Sequence, residues 1–298
     1  MRCTKYLLQW SSSLRTFYFD SYDLRHFIYL TFKQTKNMKF TSQKVSNTLA
    51  LIFMLVMNTL AVFLPLGGKT TGELSDLYPN LFVPAGFTFA IWSVIYLLLI
   101  GFVAYQWIAS SDKSNIDKIG PWFVFNGAAN GAWIVAWHYE QVPVSLIIMI
   151  VLLASLIMIY RNLNINYFGT HGIKWFVSVP ISVYLGWISV ATIANFTTVL
   201  VHYGWSGFGI SEDVWSVVVL MVAVVLGCLM MYRHRDIFYA AVIGWASYGI
   251  LSKRLADSIA IDAKIEHMSQ VAIYIMVIGI LLSVTLGILG NRRAQISN

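Results

Sequence analysis

Tryptophan, tyrosine and asparagine recur at helical spacing in three apolar stretches of this chain. Phe89, Trp92, Tyr96 and Ile100 follow one another at intervals of three or four residues. So do Trp122, Asn126, Asn130, Trp133 and Trp137, and again Tyr184, Trp187, Ala191, Asn195, Thr198 and His202. Such intervals bring side chains to one face of a helix. Three helices therefore each present an aromatic stripe, and two of those stripes carry carboxamides. Indoles and phenols bind by stacking and carboxamides by hydrogen bonding, and none of these residues has a pKa suited to acid or base catalysis. The chemistry on offer is that of a binding pocket.

The elements that must position these residues follow from composition. Hydrophobic residues make up 58% of the 298 residues and charged residues only 11%, whereas a soluble domain carries about a quarter charged. The solvent of this fold is therefore lipid. Crossing roughly 30 Å of hydrocarbon takes about 20 helical residues with every backbone hydrogen bond made internally. Eight stretches fit, approximately 45–66, 86–107, 121–138, 141–160, 175–202, 212–232, 236–252 and 267–289. The alternation of outer-membrane barrel strands is absent, so the expected fold class is an all-α integral membrane protein with about eight transmembrane helices. The seventh stretch is the shortest and contains Gly244, Ser247 and Gly249; it either spans with little tilt or dips in and returns.

Charge placement gives an orientation. With the amino terminus inside, 16 of the 20 Lys and Arg fall in cytoplasmic segments, and Lys69, Lys253, Arg254 and Lys264 fall outside. Short cytoplasmic loops retain positive charge, so a cell (cytoplasmic) membrane protein with both termini cytoplasmic is expected. The net charge of +7 is scattered over helix ends rather than gathered on one face, which argues against nucleic acid as a partner. Cys3 and Cys228 give no disulfide framework. Residues 1–44 form a basic leader without the apolar core of a secretory signal. Met38, followed by Lys39 and Lys44 before the first span, is the expected natural start; an amphipathic surface segment is the competing reading.

An asparagine facing lipid would leave its amide unsatisfied, so Asn126, Asn130 and Asn195 are expected to face other helices or a cavity. As interhelical links they would contribute roughly 0.6 kcal/mol or more each. Gly127 and Gly131 would then permit close helix contact, and Trp122 and Trp137 would be interfacial belt residues. As pocket residues, the same stripes would converge on a shared hollow.

The stretch PNLFVPAGFTFAIWSVIYLLL, with Pro84, Gly86, Phe87, Phe89, Trp92 and Tyr96, resembles the first loop and second helix of the TspO/MBR family. These are the tryptophan-rich sensory, or translocator, proteins. Asn130 and Trp133 in the third helix and Tyr184, Trp187, Ala191 and Asn195 within YLGWISVATIAN extend the resemblance over residues 45–203. Departures are the Pro84-Ala85 pair where the family has two prolines, IVAWHY after Trp133, and Val183 where a proline is usual. The family's sterol motif requires a downstream tyrosine and then an arginine or lysine, whereas the segment here reads ATIANFTTVLVHY. The resemblance implies a five-helix bundle that binds a porphyrin or another flat, hydrophobic small molecule under the first loop. Trp92, Tyr96, Asn126, Asn130, Trp133, Trp137, Tyr184, Trp187, Ala191 and Asn195 are the ligand-binding set. Indoles would stack on the conjugated ring, Ala191 would leave room for it, and carboxamides would orient its polar edge.

The implied division is a leader (1–44), a TspO-like five-helix bundle (45–203) and a three-helix carboxy-terminal extension (204–298). That extension is read as packing, with a second module or a homodimer contact as its other uses. No cofactor is required and no metal motif is present. His138 and His202 at the outer ends of their helices are the only candidates for axial ligation of a bound tetrapyrrole. No Asp, Glu, Lys or Arg stands near the middle of a span, against an ion-coupled carrier, and no nucleotide loop or hydrolytic triad is visible. The expected activity is binding, sensing or passing on a porphyrin-type ligand, not catalysis. A facilitative transporter or permease component and a structural or assembly membrane protein are the alternatives.

Overall fold

The computed structural model describes residues 21–64, 66–108, 116–165, 171–256 and 263–296. The chain divides into two compact units, Met1–Gln43 and Lys44–Asn298. Of the leader, residues 1–20 lie outside the described residues, as do Cys3 and the acidic positions Asp257 and Asp262 of the last loop.

A helix occupies each of the eight predicted stretches. They are α1 (Ser21–Phe63), α3 (Ile91–Ile108, entered through a 3-10 turn at Gly86–Ala90), α4 (Trp122–His138), α5 (Val142–Asn162), α6 (Val179–His202), α7 (Glu212–His234), α8 (Ile237–Ala256) and α9 (Ala263–Ile296). A short helix, α2 (Thr71–Asp76), lies in the loop after α1. Among the described residues there is no strand. Pro143 stands in the first turn of α5, where a missing N–H costs nothing. A π-helical segment, Lys174–Ser178, leads into α6.

Six of these helices are long and apolar enough to cross a membrane. The exceptions are α4 and α8. The first has 17 residues, of which 11 are buried, including Asn126 and Asn130. The second ends in Lys253 and Arg254. A helix surrounded by other helices needs less apolar surface than one facing lipid, which accounts for both. At 20 residues without a break, α8 is about 30 Å long, so it does not dip in and return.

Lipid-facing and interior positions divide by polarity. Leu97, Ile147 and Leu281 are exposed, whereas Asn47, Gln106, Asn126, Asn130, Ser182 and Asp236 are buried. The chain is an all-α, multi-pass membrane protein. Its central helix is α6, with 78% of its apolar window buried; it packs against α3, α5, α7 and α8. The last three helices pack on one another, with α8 as their main link to α6.

Two close approaches set the spacing. A Cβ on Gly127 would stand 3.0 Å from the Cβ of Ala50 and 3.1 Å from its carbonyl oxygen, and one on Gly131 would meet the Phe53 ring at 2.3 Å. The Gly127/Gly131 pair therefore seats α1 against α4, the small-residue contact typical of membrane helices. At the start of α8, the buried Asp236 carboxylate accepts from Tyr160 Oη (3.0 Å), Ser182 Oγ (2.7 Å) and the Tyr239 backbone N–H (2.9 Å). One carboxylate thus caps α8 and ties it to α5 and α6.

Gly127→Leu should force α1 away from α4 and destabilise the bundle by roughly 1–3 kcal/mol, the range for overpacking. A lowered thermal midpoint in detergent would register it; an unchanged midpoint would mean the contact is not tight.

Candidate ligand pocket

The aromatic stripes of α3, α4 and α6 meet. Trp92 is their hub: its ring lies 5.5 Å from Tyr96 in a stacked pair, 6.5 Å from Trp133, 6.0 Å from Tyr184 and 6.3 Å from Trp187. Trp133 stacks in turn on Trp137 at 5.7 Å, and Phe89 meets the Trp187 ring edge-on at 5.9 Å. Helical spacing makes this ladder: Trp92 and Tyr96, like Trp133 and Trp137, are one turn apart, so their rings lie one above the other.

A cavity of about 50 Å³ adjoins the ladder. Of the ten predicted residues, Trp92, Trp133, Trp137, Trp187, Ala191 and Asn195 line it. Tyr96, Tyr184, Asn126 and Asn130 do not. Asn126 donates to Ser155 Oγ (2.9 Å) on α5. Asn130 accepts from Asn58 Nδ2 (2.8 Å) on α1 and donates to Tyr184 Oη (3.0 Å) on α6. Asn195 pairs with Ser145 of α5 at 3.1 Å and lines the cavity as well. All three asparagines therefore join helices, and one of them also borders the hollow.

Two polar atoms on the lining residues are left over. The indole Nε1 atoms of Trp133 and Trp187 are buried and have no hydrogen-bond partner. Buried N–H groups are nearly always paired, so this pair of idle donors marks the site chemically.

Ala246 and Ile250 of α8 also line the cavity, with Phe82 and Pro84 from the preceding loop. Sequence reasoning missed the α8 residues because small and aliphatic side chains carry no motif. The histidines do not contribute. His138 uses Nδ1 on the Ile134 carbonyl (2.8 Å), His202 packs on Tyr78 at 6.0 Å, and neither lines the cavity. Among the described residues no cluster could hold a metal ion.

The loop from Gly67 to Ala85 closes the mouth as a lid. Its helix α2 begins with a capping box: Thr70 Oγ1 accepts from the Glu73 N–H (3.3 Å), and Glu73 Oε2 accepts from the Thr70 N–H (2.7 Å). Those bonds from the Thr70 backbone and hydroxyl hold the Glu73 carboxyl below its usual value. Tyr78 packs on Trp137 and His202, and burial, followed by the charge of Glu140, raises its phenol above the ordinary value.

Much of what holds the lid comes from α7 and α8. Trp137 of α4 donates to the Thr71 carbonyl (3.3 Å), and Glu212 of α7 accepts from the Leu81 N–H (3.0 Å). From α8, the Gly249 carbonyl accepts from the Ala85 N–H (3.0 Å), Trp245 donates to the Thr88 carbonyl (3.0 Å), and Lys253 pairs with Asp76. Phe87 packs against Trp245 at 5.7 Å and Tyr248 at 5.8 Å. Gly249 is required for the seat, since a Cβ there would lie 2.1 Å from Thr88 Oγ1. Trp245 and Tyr248 of the carboxy-terminal extension thus brace the turn that links the lid to α3.

A family model described as TSPO-like protein matches residues 44–287. The chain belongs to that family. The match runs through α7 and α8 and into α9, beyond the interval 45–203 that carried the resemblance, and so takes in the helices that hold the lid. No match was found among curated proteins or among solved structures.

Gly249→Leu should unseat the lid, raising amide exchange over residues 71–88 at least fivefold while α4 to α6 keep their protection; equal exchange in both proteins would refute the seat. The Glu73 cap gives a pH signature. Because its folded pKa is depressed, its contribution is complete above the ordinary glutamate value of about 4.3 and disappears as pH falls through the lower folded value. Exchange across α2 should therefore rise only on acidification below about pH 4, and Glu73→Gln should lose that dependence.

Proposed function

We propose that this protein binds a flat, hydrophobic ligand of the porphyrin type between the aromatic ladder and the lid, to sense it or pass it on. The observation that carries this reading is the pair of buried indole donors, Trp133 and Trp187, without acceptors beside a cavity. A conjugated ring bearing carboxylate or carbonyl oxygens supplies both needs, a face for the indoles and acceptors for their N–H groups. Ala191, Ala194 and Ala246 on the wall leave the least bulk where a ring would insert. Family membership supports the same reading.

At about 50 Å³ the cavity has room for a few waters at most, so this is a lid-closed state. A ligand must displace the lid segment that carries Phe82 and Pro84 before it can stack. The pocket offers no group for acid, base or metal chemistry, which supports binding without turnover. The charge distribution supports a cell-membrane location with both termini cytoplasmic.

A second reading rests on the same small cavity. In it the ladder is only a packing device, the asparagines serve stability, and the protein is an assembly or structural component. Fluorescence-quenching titration of the purified protein with a porphyrin in detergent separates the two. We expect saturable quenching, and an affinity at least tenfold weaker in the folded Trp92→Ala/Trp187→Ala variant. Failure of the wild type to bind would favour the structural reading, and unchanged affinity in the variant would show that the pocket is misplaced.

A further inference from the structure

A second and larger hollow lies on another face of α6. It is a groove of about 790 Å³ between α6, α7 and the loop joining them, bounded on the lid side by Pro79 and Asn80. Drug-sized ligand sites span roughly 300–1,000 Å³, so this groove admits a ligand as the structure stands. It is separate from the cavity under the lid: positions 196, 197, 200 and 201 of α6 face the groove, and positions 187, 191, 194, 195 and 198 face the cavity.

The chemistry of its walls is selective. Glu212 is the one charged residue among those lining it. Glu212 and Trp215 are three residues apart in the first turn of α7 and so share a face; Trp205 lies 5.1 Å from Trp215 at an interplanar angle of 57°, and Phe208 stands edge-on to Trp205 at 5.4 Å. The corner is braced, since Trp215 Nε1 donates to the Gly207 carbonyl at 2.8 Å. Phe208 has a left-handed backbone (φ 56°) between two glycines of positive φ, and its ring is 83% exposed. Three inclined aromatic rings beside a lone carboxylate form an environment for a cation, because ring faces carry partial negative charge. Away from this corner the wall is apolar, with Phe196, Leu200 and Val219 along the two helices.

We propose that this groove binds a choline-headed lipid of the bilayer, with its trimethylammonium group at Trp205, Phe208, Trp215 and Glu212 and an acyl chain along α6 and α7. Charge complementarity selects a cationic head. The aromatic walls select a quaternary one: three ring faces and an apolar groove suit methyl-covered positive charge better than a strongly hydrated ammonium with three N–H donors. A quaternary ammonium asks for no acceptor and is the ligand that aromatic walls favour. The site lies where two membrane-crossing helices end, the depth at which headgroups and aromatic belts meet.

Native mass spectrometry of the whole protein in a maltoside detergent, with an equimolar mixture of phosphatidylcholine, phosphatidylethanolamine and phosphatidylglycerol, tests this without any porphyrin. One retained phosphatidylcholine is expected, favoured at least tenfold over the other two lipids. Glu212→Gln keeps an acceptor oxygen for Leu81 and removes the charge, and should reduce the preference below threefold. Trp205→Leu keeps an apolar wall and removes a ring face, and should do the same; thermal midpoints verify that both variants are folded. Equal retention of the three lipids, a preference for the ethanolamine or glycerol head, or wild-type selectivity in Glu212→Gln would overturn the proposal. The outcome leaves the porphyrin reading untouched, because the two sites share no lining residue.

Discussion

Hydrocarbon offers no hydrogen-bond partner, so each polar side chain on a membrane-crossing helix must find one on its own or another helix. The fold is organised by that constraint. Asn58, Asn130 and Tyr184 form a chain across α1, α4 and α6, Asn195 and Ser145 join α6 to α5, and Asn126 reaches Ser155 between α4 and α5. Asp236 does the same for α5, α6 and α8 with a carboxylate. Each link is small in a membrane, of order 0.6 kcal/mol, but together they fix the rotation of the helices about their axes. Rotation decides which side chains face inward, so these links hold the tryptophans of α4 and α6 toward one ladder.

Against that background the idle indole donors of Trp133 and Trp187 stand out. Nearby, Asn130 and Asn195 spend both ends of their amides on joining helices. An unpaired N–H beside a small cavity is consistent with a site whose partner arrives from outside. The lid shows the reverse economy. Backbone bonds and the ion pairs Lys253–Asp76 and Lys69–Glu140 tie it to α7, α8 and α4 with the turn that follows it, all of them bonds that water at the membrane edge can replace. A cover held this way can leave without exposing unpaired groups to lipid.

The carboxy-terminal helices change meaning once their contacts are seen. Trp245 and Tyr248 share a helix face in the sequence, a pattern that fits packing as well as anything else. In the structure Trp245 bonds the backbone at Thr88 and both rings hold Phe87. The family match through residue 287 is in keeping with a site to which α8 contributes Ala246 and Ile250. Similarly, Trp205 and Trp215 are ten residues apart in a loop and a helix start, and only the turn at Gly207–Gly209 brings them to 5.1 Å.

The eight helices, the membrane as their solvent, the aromatic stripes and the Gly127/Gly131 contact were all legible in the sequence. Each depends on local composition or on spacing of three and four residues, which fixes a side chain's place on its own helix. Tertiary structure alone decided which partner each asparagine takes, that α8 walls the cavity and holds the first loop, and that the hollow is small. These are relations between helices far apart in the chain. They are set by the mutual rotation and depth of whole elements, and no periodicity within a single helix encodes either.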